Sequence, residues 1–339
     1  MAQALPTTNV DAASAFPRSI CLLAPGKTEA RLSLARVNEI LDRGEGCLWV
    51  DVDTSDPRQV DLFKEIHGLH PLSIEDVLNR KSRPKLEEYP KYLFIVILGL
   101  RLHEVTADPY DLETFDLCFF LGPRFLITTH AGASTSIDDV ASRIEKNPDL
   151  LARGADRLAQ VIMDGAVDDY FPLLDKIDEF IDGLEQRVIE RFDQTALPEI
   201  FAVKRLVISL RRHIGPEREV FNILTNRPSA LLSPESQLYF RDIYDHVLRI
   251  NDSVETFRDL LSSVLDSYLT QISNRLGRVT KGLSVIATLS IPFVVVSGMW
   301  GMNVPVPFAT HHGAFWWMLA VQLALGLVLL LLLRFRNFL

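Results

Sequence analysis

The sequence predicts an α+β membrane protein: an N-terminal cytoplasmic α/β domain, then a long helical stalk continuous with the first of two C-terminal transmembrane helices. Three observations predict it. Short β-branched and aromatic runs separated by turn residues fill about the first 130 residues, helical periodicity takes over after Ser136, and two uncharged apolar runs close the chain.

Residues 1–20 mix small, polar and proline residues without a charged segment leading into an apolar one, so they read as a disordered N-terminus and not as a signal peptide. Residues 21–135 read as the α/β domain. Cys47 to Asp53 (CLWVDVD) and Tyr92 to Leu100 (YLFIVILGL) have the make-up of buried strands, and Phe115 to Leu121 joins Phe125 to His130 through a Gly122-Pro123-Arg124 turn. Ser73 to Leu78 (SIEDVL) predicts a helix start, with Ser73 as N-cap and Asp76 in the third capping-box position.

Residues 136–233 read as a helical hairpin. Apolar residues from Ile162 through Tyr170, Ile177 and Ile181 to Val188 predict one helix over Ala155 to Phe192, and a second runs from about Leu197 to Leu224. From Pro234 no proline occurs until Pro292, so residues 234–300 read as one helix, whose stretch from Glu235 to Gly298 is about 95 Å long at 1.5 Å per residue. That length suits a stalk entering a membrane. Along it Asp245, Asp252, Asp259 and Asp266 recur every seven residues, the period of one stripe on a supercoiled helix. The first three read as a solvated face. Asp266, nearest the membrane, is the candidate pore-mouth acid, because a ring of acids at such a mouth concentrates cations.

Gly282 to Met299 has about 18 uncharged residues, close to the thickness of a bilayer core. The run over residues 313–333 is longer and starts with Trp316 and Trp317, where interfacial aromatics belong. Between them lies a loop over residues 301–312, and residues 334–339 form a basic tail. Arg275, Arg278 and Lys281 precede the first span and Arg334 and Arg336 follow the second, while Asn303 to His312 contains neither Lys nor Arg. By the positive-inside rule both termini are cytoplasmic and the loop is external, in a multi-pass protein of the inner or plasma membrane.

The 339 residues carry a net charge of -9 with no basic block in the first 280, which argues against a nucleic-acid partner. Cys21, Cys47 and Cys118 are odd in number and far apart, arguing against a disulfide framework or structural zinc. There is no Walker loop, dinucleotide turn, HExxH or nucleophile elbow, so neither an enzyme nor a bound cofactor is expected.

Gly301-Met302-Asn303 after one apolar helix, a second apolar helix and a basic tail together resemble the CorA family of divalent-cation transport proteins. HPLSIEDVLNRKSRPKLEEYPKYLFIVI (His70 to Ile97), VDDYFPLLDKIDEFIDGLE (Val167 to Glu185) and the stretch from Tyr239 to Leu276 are also similar to family sequence. The resemblance implies a homopentamer in the lipid bilayer with a cytoplasmic funnel, the first span lining a pore and the second facing lipid. It implies a selectivity filter at Gly301, Met302 and Asn303, with a divalent cation as substrate and as regulator. Mg²⁺ sheds water reluctantly, so a ring of Asn303 carbonyls can recognise the hydrated ion. Gly277, Thr280, Ser284, Ala287, Ile291, Val294 and Gly298 share the helical face expected to line the pore, with Thr288 at its edge; Ile291 and Val294 form an apolar constriction able to gate by dewetting. Asp242, by its place in YFRDIYDH, matches a regulatory acid of the family. Its expected partner follows the YLFIVI strand, where Leu102-His103-Glu104 offers Glu104 in place of the usual acid.

Two alternatives accompany this reading. The loop over residues 304–313 has no carboxylate but carries His311 and His312, and imidazole suits Zn²⁺, Ni²⁺ or Co²⁺ better than Mg²⁺, so a ZntB-like, proton-coupled zinc transporter is the runner-up. From a different class, the chain could be a membrane-anchored structural coiled-coil protein, with no requirement for Asn303.

Overall fold

The computed structural model describes residues 15–79, 83–102, 112–190, 193, 195–302 and 312–336. Contacts divide it into two units, Met1–Gln186 with Thr195–Ser263, and Arg187–Gln194 with Val264–Leu339.

The first unit holds strands β1 (Arg18–Ala24), β2 (Lys27–Ala30), β3 (Cys47–Asp53), β4 (Lys85–Glu88), β5 (Leu93–Leu102), β6 (Leu112–Leu121) and β7 (Phe125–His130). They form one sheet in the order β2-β1-β3-β7-β6-β5-β4, in which β3 and β7 run parallel and every other neighbouring pair is antiparallel. The strand expected at Cys47 to Asp53 has those bounds, and the expected hairpin pairs Leu121 with Leu126. Helices α1 (Leu34–Arg43), α2 (Pro57–Lys64) and α3 (Pro71–Asn79) cover one face, where Val37, Ile40, Phe63 and Val77 join Val50, Phe94, Val96 and Phe120 in one cluster. The alternate residues of these strands, such as Ile95, Ile97 and Phe119, are as fully buried. They point to the other face. After α4 (Thr135–Lys146) and a 3-10 turn at Pro148–Arg153, α5 (Ala155–Asp168), α6 (Tyr170–Glu190) and α7 (Ala196–Asn226) follow, and α5 and α7 pack on the sheet.

Three expectations are corrected. Order begins before residue 20: Phe16 is fully buried, its amide donates to the Leu32 carbonyl at 3.0 Å, and β1 starts at Arg18. Ser73 is not an N-cap, because α3 starts at Pro71, whose fixed φ suits the first helical position. His70 takes the capping role through Nδ1, which accepts from Leu72 N, while the buried Ser73 hydroxyl donates to the His70 carbonyl. The helix expected over Ala155 to Phe192 breaks between α5 and α6. Pro172 has no N–H for the carbonyl of Asp168, and its ring crowds that carbonyl.

The edge of the sheet has a side-chain cap. β4 pairs only with Leu93 to Val96 of β5, leaving the next backbone groups of β5 without a strand partner on that side. Glu217 Oε1 on α7 accepts the Leu98 N–H at 3.1 Å, and the Tyr170 hydroxyl on α6 donates to the Leu98 carbonyl at 3.3 Å, also lying 3.3 Å from Glu217 Oε2. Glu217 is fully buried. Burial pushes its carboxyl up to about 8 against the opposing pull of the Leu98 and Tyr170 hydrogen bonds, so at neutral pH it is the neutral acid.

A helix of 67 residues, α8 (Pro234–Trp300), contributes to both units, and α9 (Ala314–Phe335) completes the second. Phe240, Ile243, Val247, Ile250, Val254, Phe257, Leu261, Val264 and Tyr268 are its buried stripe, three or four residues apart throughout.

Candidate functional site

The apolar end of α8 and the whole of α9 are both long and apolar enough to cross a membrane. Within the second unit α8 presents distinct faces. Val285 and Pro292 are buried and Thr288, Leu289, Val296 and Trp300 half-buried, on the side of α9. Gly277, Thr280, Ser284, Ala287, Ile291, Val294 and Gly298 are all exposed. At about 100° per residue they centre roughly 140° around the helix from the covered face. Thr288 falls between the two, its hydroxyl donating to the Ser284 carbonyl at 2.8 Å. A Cβ on Gly277 or Gly298 would meet nothing within 4 Å, so nothing among the described residues requires their small size.

Beside this face lies an apolar one. Leu269, Ile272, Leu276, Val279, Leu283 and Ile286 continue a three-and-four spacing but are exposed, between 37% and 68%. Asp245, Asp252, Asp259 and Asp266 are exposed as expected. Gly301 and Met302 follow α8 and are exposed, and His312 is exposed in the turn before α9. Asn303, His311 and Glu104 lie outside the described residues.

A second cluster sits in the first unit. Asp164 and Asp168, one turn apart on α5, meet His246 of α8, and each residue offers one ligand atom within 4.8 Å of the others. Asp168 Oδ1 lies 3.2 Å from His246 Nδ1. Burial pushes the Asp164 carboxyl up and the Asp168 charge adds to this, with His246 opposing and Asp242 contributing in the same sense. Asp242, exposed one turn before His246, thus shares the field of this cluster. Carboxylates crowded in this way gain from a divalent cation, and two oxygens with one imidazole suit Mg²⁺ through water or Co²⁺ directly.

The family described as CorA-like Mg²⁺ transporter protein matches residues 44–334. The chain belongs to the CorA family. A cobalt/magnesium transport protein CorA of Thermotoga maritima is 38% identical over 240 residues, covering 70% of this chain and 68% of that one. The putative metal ion transporter YfjQ of Bacillus subtilis is 33% identical over 255 residues, covering 75% and 78%. The complete CorA structure from Methanocaldococcus jannaschii superposes with a TM-score of 0.75 at 19% identity, covering 85% of this chain and 90% of that one. These relatives are named as transporters and not as enzymes, and the CorA-family match spans both apolar helices.

Sequence reasoning placed Asp242 in this CorA-family chain but missed Asp164, Asp168 and His246. The signal was present, since Asp164 and Asp168 are four apart and so lie one turn apart on the same side of α5. It also missed Gln322, a lone amide in the apolar run of α9 that is 4% exposed.

Proposed function

We propose that the chain carries divalent cations passively, as a channel-like homopentamer, with Mg²⁺ the main ion and Co²⁺ and Ni²⁺ also accepted. The observation that carries the reading is the division of α8 into a face covered by α9, an opposite face of small and polar residues, and an apolar stripe between them. In a ring of copies the stripe from Leu269 to Ile286 seals neighbour against neighbour, and the small and polar rungs line the lumen. Gly298 lets backbones approach. Ile291 and Val294 form the dewetting constriction, with Thr288 at the lumen's edge, and Asp266 concentrates cations at the inner mouth. Asn303, with Gly301 and Met302, forms the acceptor ring that selects the hydrated ion. With both termini in the cytoplasm, the membrane potential supplies about 4.6 kcal/mol per 100 mV for a divalent cation, so transport needs no ATP.

Asp164, Asp168, Asp242 and His246, with Glu104, form the cytoplasmic sensor. Cation bound there when it is abundant holds the pore shut. Residues 21–135 and 136–233 make up the sensing domain, residues 234–300 the stalk and first span.

The test is flux in liposomes. Asn303→Ala abolishes Mg²⁺ uptake while the assembled species is unchanged on a sizing column; unaltered uptake in that variant refutes the pore reading and favours the structural coiled-coil one. A second reading, Zn²⁺ transport coupled to protons, draws on the loop histidines His311 and His312 and on His246. It requires Zn²⁺ uptake to follow an imposed pH gradient and to fall when both loop histidines become Ala.

A further inference from the structure

Gln322 stands out in α9. It is nearly fully buried, and from Ala314 to Leu333 every other residue of the helix is apolar. A primary amide in hydrocarbon is costly unless its polar atoms are bonded, so such a residue needs a partner. Its Nε2 donates to Ser297 Oγ of α8 at 3.0 Å and, at longer range, to the Phe293 carbonyl at 3.4 Å. A main-chain carbonyl only accepts, which fixes the amide with its NH₂ end toward α8.

The place of this bond matters. On one side of it the helices are close, since the Phe293 ring lies 3.5 Å from where a Cβ on Gly326 would be. On the other side an apolar cleft of about 600 Å³ separates them, lined by Val296, Trp300, Trp317 and Met318 among others. The Gln322–Ser297 pair therefore sits where close packing ends. Ser297 in turn anchors the end of α8: its carbonyl accepts the Gly301 N–H at 2.9 Å, and Asn303 follows Gly301 by two residues in sequence.

We propose that Gln322 is a positioning residue for the external mouth, holding Ser297, and through it the turn at Gly301 and Met302 where α8 ends. The proposal rests on the reading of Gly301, Met302 and Asn303 as the filter. Discrimination among divalent ions of similar size depends on fixed acceptor positions. A loosened mouth still passes ions but binds the preferred one less well.

The experiment measures Mg²⁺ and Co²⁺ flux by the full-length protein in liposomes, as half-saturating external concentration and as maximal rate. Gln322→Leu and Ser297→Ala each raise the half-saturating Mg²⁺ concentration by about 3- to 20-fold, the span that interhelical hydrogen bonds in membranes correspond to. The double variant shows no further rise, and Ser297→Thr, which keeps the acceptor, stays near wild type. A purely structural role lowers the maximal rate for both ions together and leaves half-saturation unmoved, and that result overturns the proposal. So do single effects that multiply in the double variant. Should Gln322→Leu fail to assemble, Ser297→Ala, which alters an exposed side chain, carries the same test alone. Asn303→Ala serves as the separate control: if it leaves Mg²⁺ uptake unaltered the filter reading itself falls, and if it abolishes uptake while Gln322→Leu and Ser297→Ala leave half-saturation unmoved, only the role of Gln322 falls.

Discussion

Replacing Glu217 by Gln tests whether the cap on β5 is a neutral acid. The carboxyl is pushed from 4.5 to about 8 in the folded chain. Between those values the unfolded chain is ionised while the folded one keeps its proton, so stability falls as pH rises through that window. At about 1.4 kcal/mol per unit the loss from pH 4.5 to pH 8 has an upper bound of about 5 kcal/mol, and about 3 kcal/mol of it is already incurred at pH 7. A Gln side chain reproduces the protonated acid: its carbonyl accepts the Leu98 N–H and its NH₂ faces the Tyr170 oxygen, with nothing to ionise. The assay is hydrogen exchange of the β5 amides in the full-length protein, corrected for intrinsic rate, from pH 5 to pH 8. The difference between the two proteins isolates the carboxyl, because every other titrating group cancels. The Glu217→Gln variant gains protection on wild type with rising pH; a difference that stays constant across the range, or a variant less protected at pH 8, refutes the reasoning.

Three further outcomes are expected. Leu276→Glu on the exposed stripe of α8, where burial of each Leu contributes about 1.5–3 kcal/mol, shifts the protein to smaller species in light scattering at unchanged helix content; retention of the full oligomer contradicts the stripe as a seam. Asp164→Asn raises the Mg²⁺ concentration needed to protect the protein from protease by about tenfold, equivalent to about 1.4 kcal/mol, and an unchanged midpoint removes Asp164 from the sensor. Burial, the largest single cause, disfavours the His130 imidazolium, but the bond to Asp51 at 3.1 Å, the Asp51 charge, the Gly132 carbonyl and the Asp53 charge together outweigh it and leave the ring pKa raised above 6.5. The stabilisation is therefore fully present below pH 6.5 and is lost as pH rises through the raised value. In Asp51→Asn that loss disappears from the pH profile of thermal unfolding, and a profile parallel to wild type counts against the pair.

What could be read in the sequence was what local pattern encodes. β3 and the β6–β7 hairpin have strand-like composition along their whole length, and α8 has an unbroken run between two prolines. β2 and β4, with KTEA and KLEE, look like loops; they are strands because β1 and β5 offer them backbone partners. The proline in YFPLL carried the signal for the α5–α6 break, but the apolar spacing runs through it undisturbed. The exposed face of α8 that carries Gly277, Thr280, Ser284, Ala287, Ile291, Val294 and Gly298 could be grouped from their helical spacing alone. The Asp164, Asp168 and His246 cluster was not, because it joins residues 78 positions apart, and only packing of α5 against α8 brings them together.

The two margins of the seven-stranded sheet have a consequence for how copies of the chain can meet. Both edge strands are only four residues long and bear charged side chains, Lys27 and Glu29 on one and Lys85, Glu87 and Glu88 on the other. Where β5 outruns its short neighbour, Glu217 and Tyr170 already occupy the Leu98 amide and carbonyl that an invading strand would need. Strand-to-strand aggregation between neighbouring domains is thereby blocked at both margins, and association is left to helices, whose surfaces can part and re-form without templating further growth.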